Sequence, residues 1–310
     1  MDGRITAAVR CNRRSRLCPR TLSGASATGA QEPQRLEFVL QTGHRRGITS
    51  VALSGDGKYV LTASGDNTAI LWEAASGKKL HTFQHTSGVD SVALSGDGKR
   101  ILTSSSGVPA LWEAATGKKL QTIPVRSISF NVALSRDGKY VVASVYDTNA
   151  ILWEAATGKK IHTFPGHTLG VTSVALSGDG KLLVTGSRDK TAILWEAASG
   201  KRLQTFQGHT HWVTSVALSG DARHLWTTSE DGTIWLWDVA TGKERCRLYS
   251  FDTGKDWLVV TPEGFFDGSP GAWRFVAYRV PGTLKLLDDG ATRKRFHRPG
   301  LLAQAWKGQE

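Results

Sequence analysis

Short runs of β-branched, aliphatic and aromatic residues follow one another through most of the chain, separated by turns rich in Gly, Asp, Asn and Ser. Between residues 51 and 83 these runs are Val51-Ala-Leu-Ser, Tyr59-Val-Leu-Thr-Ala-Ser, Thr68-Ala-Ile-Leu-Trp and Lys79-Leu-His-Thr-Phe. Apolar runs of this length bounded by turn residues predict β-strands. The Asp56-Gly57 pair supplies the positive φ that a tight hairpin turn requires. The stretch therefore predicts a four-stranded antiparallel meander.

The same pattern recurs with a period of about forty residues. Trp72, Trp112, Trp153, Trp195 and Trp237 are 40, 41, 42 and 42 residues apart, and Glu-Ala-Ala-Ser/Thr-Gly-Lys follows the first four. Self-similarity at this period is typical of stacked repeat architectures. Because a single sheet of this kind cannot bury both of its apolar faces, we expect the copies to pack face to face around an axis.

These repeats resemble the repeats of WD-repeat (WD40) β-propellers. The dipeptides that carry the resemblance are Gly43-His44, Gly166-His167 and Gly208-His209, the variant Gln84-His85, and Trp237-Asp238, which is Trp-Glu in the other copies. The resemblance covers about residues 36–249. It implies an all-β fold, a WD40-type β-propeller with five recognisable blades.

The resemblance also implies a buried chain of hydrogen bonds in each intact blade, which links a His, a Ser or Thr, an Asp and the Trp indole. Three copies contain complete sets: His44, Thr62 or Ser64, Asp66 and Trp72; His167, Thr185 or Ser187, Asp189 and Trp195; and His209, Thr227 or Ser229, Asp231 and Trp237. The second copy lacks the Asp, and the third keeps Asp147 but lacks the Gly-His. We expect these two blades to be the least rigid, since an incomplete buried polar network costs stability.

The length of the chain after residue 34 leaves room for six units of about 41 residues. Residues 35–41 precede the first Gly-His, where the family places the outer strand that closes the ring. Three further strands are predicted after Tyr249, at residues 256–261, 264–268 and 273–280. We therefore expect a propeller over residues 35–287, with WD repeats at about 44–249 and a degenerate sixth blade at about 250–287, closed by the N-terminal strand. In the five-bladed alternative, residues 250–310 form an appendage.

The C-terminal part carries a second resemblance. Residues 256–271 and 294–303 resemble the segment that follows the repeats in bacterial WD-repeat proteins, some of which also carry a caspase-like peptidase domain. This resemblance implies a bacterial origin and a regulatory or assembly role. We expect residues 288–310 to form a basic tail with helical character.

The positive charge of the chain is unevenly distributed. Lys and Arg number 39 and Asp and Glu 27, which gives a net charge of +12. Residues 1–34 contain six Arg against Asp2 and Glu32, so +4 belongs to this segment and +8 to the rest. Because the segment has neither a secretory apolar run nor a strand or helix period, we expect a disordered basic leader. A transit peptide, or translation begun upstream of the true start, would have a similar composition.

The sequence offers little reactive chemistry. Cys11, Cys18 and Cys246 have neither metal-ligand nor disulfide spacing, and no apolar run of about 18 residues predicts a membrane span. Phosphate-binding, nucleophile-elbow and zinc-protease motifs are absent. Basic neighbours would lower the pKa of Cys246, although a solitary Cys near a strand end is more often packed. We expect a non-catalytic cytoplasmic protein without cofactor, metal site or membrane span.

Loops therefore carry the functional prediction. By the resemblance, the turns with Gly-His and with the turn Asp lie on one rim, which would display Arg45, Arg46, Arg126, Tyr146, Arg188, Lys190, His211 and Trp212. Basic residues around an aromatic anchor are typical of a protein interface, whereas the alternative is that Trp212 caps its own blade. The opposite rim would carry paired lysines such as Lys78-Lys79. Because acidic residues recur beside them, a solubilising surface is favoured over a nucleic-acid site.

We thus predict a scaffold that binds an acidic peptide or partner domain on the rim loops. The alternative is a regulatory fragment or partner of a bacterial caspase-like peptidase or kinase system. A nucleic-acid-binding surface is a further alternative, and it predicts steep salt dependence of binding.

Overall fold

The repeats fold into five antiparallel sheets of four repeat strands each, in a β-propeller arrangement. The computed structural model describes residues 43–125, 129–145, 148–251, 254–279, 286–287 and 289–307. The predicted leader (1–34) and the predicted closing strand (35–41) lie outside the described residues. Among the described residues, no helix is both long and apolar enough to cross a membrane.

Each sheet contains strands consecutive in sequence. Sheet 1 contains β1 (Ile48–Leu53), β2 (Tyr59–Ser64), β3 (Thr68–Glu73) and β4 (Lys79–Gln84). Sheet 2 contains β5 (Val89–Leu94), β6 (Arg100–Ser105), β7 (Val108–Glu113) and β8 (Lys119–Thr122). Sheet 3 contains β9 (Ser129–Leu134), β10 (Tyr140–Val145), β11 (Ala150–Glu154) and β12 (Lys160–Phe164). Sheet 4 contains β13 (Val171–Leu176), β14 (Leu182–Ser187), β15 (Thr191–Glu196) and β16 (Arg202–Gln207). The repeat strands of sheet 5 are β17 (Val213–Leu218), β18 (His224–Ser229), β19 (Thr233–Asp238) and β20 (Glu244–Phe251).

The first hairpin turn of each of the first four repeats has the geometry that its Asp-Gly pair predicts; in the fifth repeat Ala222 replaces the glycine and has a φ of 58°. Gly57 has a φ of 70°, and the equivalent glycines of the next three sheets have φ of 70–71°. The Asp56 side chain accepts hydrogen bonds from the Ser54 hydroxyl (2.7 Å) and from the Lys58 backbone N–H (3.0 Å). These contacts fix the strand register, because a hairpin turn sets which residues face each other across the pair.

Consecutive sheets pack face to face, and the innermost strand of each sheet contacts the innermost strand of the next. We call the side of a sheet that meets the following sheet its forward face and the other side its rear face. Between sheets 1 and 2 the forward face supplies Leu61, Leu71 and Phe83, and the rear face supplies Val89 and Val92, among other buried residues. The hydrophobic core is therefore divided into layers, one between each pair of adjacent sheets.

The segment after Tyr249 does not form a separate sheet, so the predicted sixth blade is wrong for the residues that the structure describes. Strands β21 (Asp256–Val260) and β22 (Phe266–Gly268) hydrogen-bond in turn to the outer edge of β20, and sheet 5 has six strands. The physical reason lies in β20, which is eight residues long and offers a long unpaired edge to the chain that follows it.

The third predicted strand of the tail is also largely wrong. Residues 270–275 form a 3₁₀ helix with Pro270 at its start, and only Tyr278–Arg279 (β23) is extended, paired with Leu286–Leu287 (β24). Proline favours the first turn of a helix and donates no ladder hydrogen bond, which explains the change.

Two short helices, α1 (Gly290–Phe296) and α2 (Leu301–Lys307), occupy the segment where a basic tail with helical character was predicted. Leu301 of α2 packs against Leu236, Cys246 and Val259 of sheet 5, and Trp306 stacks on Trp226 at 6.1 Å between ring centroids. Helix α2 therefore covers part of the forward face of the last sheet.

Buried polar chains connect the strands of sheets 1, 4 and 5 to their loops. In sheet 4, His167 lies 2.8 Å from Thr185 Oγ1 through Nε2 and 2.8 Å from Asp189 Oδ2 through Nδ1, and the Trp195 indole N–H donates to Thr185 (2.9 Å). The corresponding hydrogen bonds are present in sheet 1 (His44, Thr62, Asp66, Trp72) and in sheet 5 (His209, Thr227, Asp231, Trp237). Of the alternatives left open by the sequence, Thr rather than Ser is thus the hydroxyl that joins His and Trp.

The alternative serines have a different contact. Ser64, Ser187 and Ser229 each donate to the backbone carbonyl of the loop that enters the sheet, at 3.2, 2.9 and 3.1 Å. The glycine of the Gly-His pair is needed for close approach, since a Cβ at Gly166 would lie 2.8 Å from the Trp195 ring.

The second and third sheets depart from this arrangement. His85 occupies the histidine position of sheet 2, where its Nε2 is buried without a hydrogen-bond partner and its ring lies edge-on to Trp112. Burial, and secondarily the charge of Lys119, lower the pKa of His85 to about 4. In sheet 3, Ala143 takes the place of the threonine, and Asp147 lies outside the described residues.

The aspartates of the complete buried polar chains in sheets 1, 4 and 5 are held in their ionised form. Burial by itself raises the pKa of Asp189, but hydrogen bonds from His167 and Thr191, the His167 charge and the Thr168 backbone N–H outweigh burial and bring the pKa to about 2. The same balance of burial against hydrogen bonds gives Asp66 and Asp231 a pKa of about 2. An aspartate whose pKa is depressed on folding stabilises the protein above its unfolded pKa, and this contribution is lost as the pH falls.

We predict that Trp195→Ala lowers the free energy of unfolding by about 3–5 kcal/mol, because it removes a buried aromatic ring and the donor to Thr185. Trp195→Phe retains most of the ring volume and should cost less. Trp257, which is 46% exposed on β21, provides the matched control, and Trp257→Ala should cost under about 1 kcal/mol. Urea unfolding followed by circular dichroism measures all three, and equal losses for Trp195→Ala and Trp257→Ala would contradict the assigned packing.

We predict that Asp189→Asn lowers stability at pH 7 by about 1–3 kcal/mol, since it removes a charged acceptor of several buried hydrogen bonds. The wild-type protein should also lose stability as the pH falls from about 4 to about 2, and the variant should lose less over that range because it has one depressed carboxyl fewer. Asp179→Asn in the exposed turn of the same sheet is the control, with a much smaller expected change at pH 7. Urea unfolding at several pH values tests this; the same pH slope in wild type and Asp189→Asn would refute it.

Candidate interaction surface on the loop rim

Two sets of loops meet at one end of the sheets. One set joins the second and third strands of a sheet, and the other joins the last strand of one sheet to the first strand of the next. The backbone N–H of Arg45, in the loop before β1, donates to Asp66 in the loop between β2 and β3 (2.7 Å), and Thr168 and Thr210 donate likewise to Asp189 and Asp231. We call this end the upper rim. The buried polar chains thus reach into the upper-rim loops and hold them.

Six of the eight residues predicted to bind a partner lie on the upper rim among the described residues. Arg45, Arg46, Arg188, Lys190 and His211 are exposed, and Trp212 is half-buried. Arg126 and Tyr146 lie outside the described residues.

Trp212 is the centre of a cluster formed by sheets 4 and 5. The Arg188 guanidinium carbon lies 4.9 Å from the centroid of the Trp212 ring, and the His211 ring lies 5.3 Å from it. His211 Nδ1 is 3.0 Å from a carboxylate oxygen of Glu230, whose backbone N–H donates to the Trp212 carbonyl at 3.0 Å. We call Arg188, His211, Trp212 and Glu230 the upper-rim cluster.

The cluster combines the two sequence-based interpretations of Trp212. The ring packs against its neighbours, as a capping residue does, yet it remains partly accessible beneath a cation supplied by the preceding sheet. Sequence reasoning missed Glu230. The sequence does contain a signal for Glu230, which is its position in the repeat. Glu230 directly follows β18, just as Arg188 directly follows β14 in the previous sheet, and both residues lie beside the loop that enters sheet 5.

The remaining basic residues are held separately. Arg46 donates from Nη1 to the Gly65 carbonyl (3.2 Å) within sheet 1, and Lys190 occupies the left-handed position of its turn, with a φ of 72°. These contacts spread the positive charge of the upper rim over the loops of sheets 1 and 4 instead of gathering it at Trp212.

The opposite, lower rim has a repeating pattern of pairs. Lys58, Lys99, Lys139 and Lys181 each lie 3.1–3.9 Å from the Asp of their own turn, with both partners exposed. In the first four repeats, the Glu that follows the repeat Trp accepts a hydrogen bond from the Ser or Thr of the next turn, as in Thr116 to Glu113 (2.5 Å) and Thr157 to Glu154 (2.6 Å). Acidic side chains therefore alternate with the lysines, which weakens the positive field there.

Arg136 is a lower-rim residue that sequence reasoning did not single out. It replaces the glycine found at this turn position in the other copies, and its side chain extends over Gly96 of sheet 2 and toward Gly55 of sheet 1. An arginine in place of a repeated glycine was the signal in the sequence.

The described cysteine and the histidines outside the buried chains have structural contacts. Burial and, secondarily, the Glu244 charge raise the pKa of Cys246 to about 12, and the opposing effect of Arg245 is weaker. This thiol is therefore packed and not activated. The His224 ring packs in a tilted arrangement against Trp306, and the His297 ring packs in the same way against Trp273, each with 4.6 Å between ring centroids. In the part of the chain that the structure describes, no three His, Cys, Asp or Glu side chains are grouped so as to hold a metal ion.

Comparison with known proteins agrees with this architecture. The family model described as WD domain, G-beta repeat matches residues 36–73, 77–113, 158–196 and 200–238. The unmatched stretch between the second and third of these ranges contains the copy that lacks Gly-His and has Ala143 in place of the threonine. Ribosome assembly protein 4 of Saccharomyces cerevisiae is 45% identical over 42 residues, which are 14% of this chain and 8% of that protein. The chain is therefore a β-propeller built from WD40 repeats, a fold that indicates a protein-interaction scaffold.

Proposed function

We propose that the protein is a non-catalytic interaction scaffold that binds an acidic peptide or an acidic segment of a partner domain on its upper rim. The observation that carries the proposal is the half-buried Trp212 held between Arg188 and His211. Tryptophan and arginine are enriched among the residues that dominate protein interfaces, especially where they are already packed before the partner arrives.

Charge supports an acidic partner. Arg45, Arg46, Arg188 and Lys190 are exposed on the upper rim, whereas Glu230 of the cluster is paired with His211. A carboxylate that approaches Arg188 would meet a guanidinium that lies 4.9 Å from the centroid of the Trp212 ring. A guanidinium can contact an aromatic ring and donate N–H groups to a carboxylate, so Arg188 and Trp212 together offer a charged and an aromatic contact.

Order in the loops further supports the proposal. The aspartates of the buried chains accept the backbone N–H groups of Arg45, Thr168 and Thr210 at 2.7–3.0 Å. Loops held in this way lose little conformational freedom on binding, which favours affinity.

Nucleic-acid binding is the competing function that the charge of the chain suggests. The pairing of Lys58, Lys99, Lys139 and Lys181 with aspartates of their own turns lowers the net positive charge that the lower rim offers to phosphates, which disfavours this function. A role beside a caspase-like peptidase or a kinase rests on the resemblance of the tail alone.

We predict that Trp212→Ala weakens binding to acidic peptides about 10-fold or more, and that Arg188→Ala weakens it to a similar extent. The probe is an immobilised array of fluorescent peptides rich in Asp and Glu and containing one aromatic residue, with the charge-reversed Lys and Arg peptides as the comparison. Trp257→Ala removes an exposed tryptophan on the edge of sheet 5 and should leave binding unchanged.

The lower rim supplies the decisive comparison. The double variant Lys118→Glu and Lys119→Glu changes charge at the opposite end of the sheets and should bind the peptides as the wild type does. Loss of binding in this variant, with retention in Trp212→Ala, would move the site to the lower rim. A nucleic-acid site would show itself by a steep fall in affinity for a single-stranded oligonucleotide as salt is raised.

A further inference from the structure

The first sheet exposes an apolar strand that every other sheet buries. On β1, Ile48 is 54% exposed, Val51 62% and Leu53 64%. The residues at the Ile48 and Val51 positions of later sheets are at most 6% exposed among the described side chains: Val89, Val92, Val132, Val171, Val174, Val213 and Val216. At the Leu53 position, Leu94 and Leu134 are buried, and Leu176 and Leu218 are half-buried. The difference extends to the turn after β3, where Ala74 is exposed but Ala114, Ala155, Ala197 and Val239 are buried. On the rear face of sheet 1, the inner strand β1 therefore has the repeat's apolar residues without a sheet against them in the part of the chain that the structure describes, whereas Ile70 of β3 on the same face is buried.

The four sheet-to-sheet contacts among the described residues show what such a face binds. The second strand of the preceding sheet has a small residue where it meets the incoming inner strand: Ala63, Ser104, Ser144 and Gly186 in sheets 1 to 4. A Cβ at Gly186 would lie 2.7 and 2.8 Å from the methyl groups of Val216 and Val213, so this contact leaves no room for a larger side chain.

A polar contact accompanies the apolar one. The backbone N–H groups of Val92, Val132 and Val216 donate to Ser50, Ser91 and Ser173 of the preceding inner strand, at 3.2–3.3 Å. In the remaining contact the Val174 N–H donates to Asn131 Oδ1 (3.1 Å). An occupant of the rear face of sheet 1 should thus present a small residue to Val51 and a Ser or Asn side chain to its N–H.

Sheet 5 of this chain does not fit that description. Its forward face has Thr228 where the other sheets have Ala, Ser or Gly, and Trp226 where they have Leu or Val. Helix α2 covers Leu236, Cys246 and Val259 on the same face. Part of the forward face of sheet 5 is consequently covered by α2, whereas the described residues leave Ile48, Val51 and Leu53 of sheet 1 exposed.

We infer that the rear face of sheet 1, formed by Ile48, Val51 and Leu53, is a docking surface for a WD-type four-stranded sheet supplied by a partner protein. The partner sheet presents a small residue on its second strand and a hydroxyl or amide side chain on its inner strand. This surface is separate from the upper-rim cluster and does not depend on the function proposed for it.

The test measures how fast a thiol introduced at position 51 reacts with a maleimide. Val51→Cys is made in a chain with Cys11→Ser and Cys18→Ser, and Cys246 is kept because it is fully buried. The probe is a copy of residues 166–207, which contain sheet 4, inserted between residues 42 and 43. Gln207 is normally followed by Gly208-His209, and in the insertion it is followed by Gly43-His44, so the junction is the natural one.

We expect the full chain to be a monomer in which the introduced thiol is reactive, and the inserted sheet to slow the reaction by about 10-fold or more. The same insertion with Gly186→Val in the copied sheet should not protect the introduced thiol, since a valine there would collide with the inner strand. Val92→Cys, at the equivalent position of sheet 2, is the matched control and should be unreactive throughout.

Three results would overturn the inference. Protection of the introduced thiol in the monomeric full chain without the insertion would show that residues of this chain already occupy the face. Protection that accompanies a dimeric mass in sedimentation would assign the face to a second copy. A thiol at position 51 that remains reactive beside the inserted wild-type sheet would show that the face does not accept a WD-type sheet.

Discussion

The architecture depends on one packing constraint, the contact of each inner strand with the second strand of the sheet before it. The valines of β17 fit against sheet 4 because Gly186 leaves them room, and the inner-strand serine or asparagine pairs with the N–H that would otherwise be buried alone. Burial of an aliphatic side chain contributes about 1.5–3 kcal/mol, so three such positions per sheet account for much of the stability between sheets. The β-hairpins within a sheet form between neighbouring segments of the sequence. The packing of one sheet on the next instead follows from the repeated fit of large inner-strand side chains against a small residue on the second strand of the preceding sheet.

The buried polar chains have a different role, since they connect this packing to the surface. Sheets 1, 4 and 5 contain complete chains, and these sheets also supply the upper-rim residues Arg45, Arg188 and Trp212. The carboxylates with pKa of about 2 accept hydrogen bonds from the loop backbone as well as from the histidines. In sheet 2, by contrast, His85 has no acidic partner among the described residues and a pKa lowered to about 4. The loops best suited to hold a partner are therefore those attached to a complete buried polar chain of His, Thr, Asp and Trp.

Sequence reasoning was most successful where the repeat supplies several copies of the same evidence. The strands of the repeats and the positive φ of Gly57 were predictable, because each follows from local spacing and turn chemistry. The tail was not, since residues 256–261 have the alternation of a strand but nothing that tells whether the strand begins a new sheet or extends an old one. The pairing of Glu230 with His211 depends on two loops meeting in space, which no local pattern encodes.

The two faces of sheet 5 show that the residues on one face of a repeat sheet can change while those on the other face keep the repeat pattern. Its rear face retains Val213, Val216 and Trp237 in the buried arrangement of the other sheets, whereas its forward face has Trp226 and Thr228 and receives Leu301 of α2. A sheet face that meets no other sheet needs different residues from a face that is packed between two sheets, because its side chains meet solvent or a helix instead. On the forward face of sheet 5, bulky residues and helix α2 occupy the position where the other described sheets meet a following sheet. Sheet 1 instead keeps the interior residues Ile48, Val51 and Leu53, so its sequence specifies a sheet-to-sheet contact at a position where the described residues provide none.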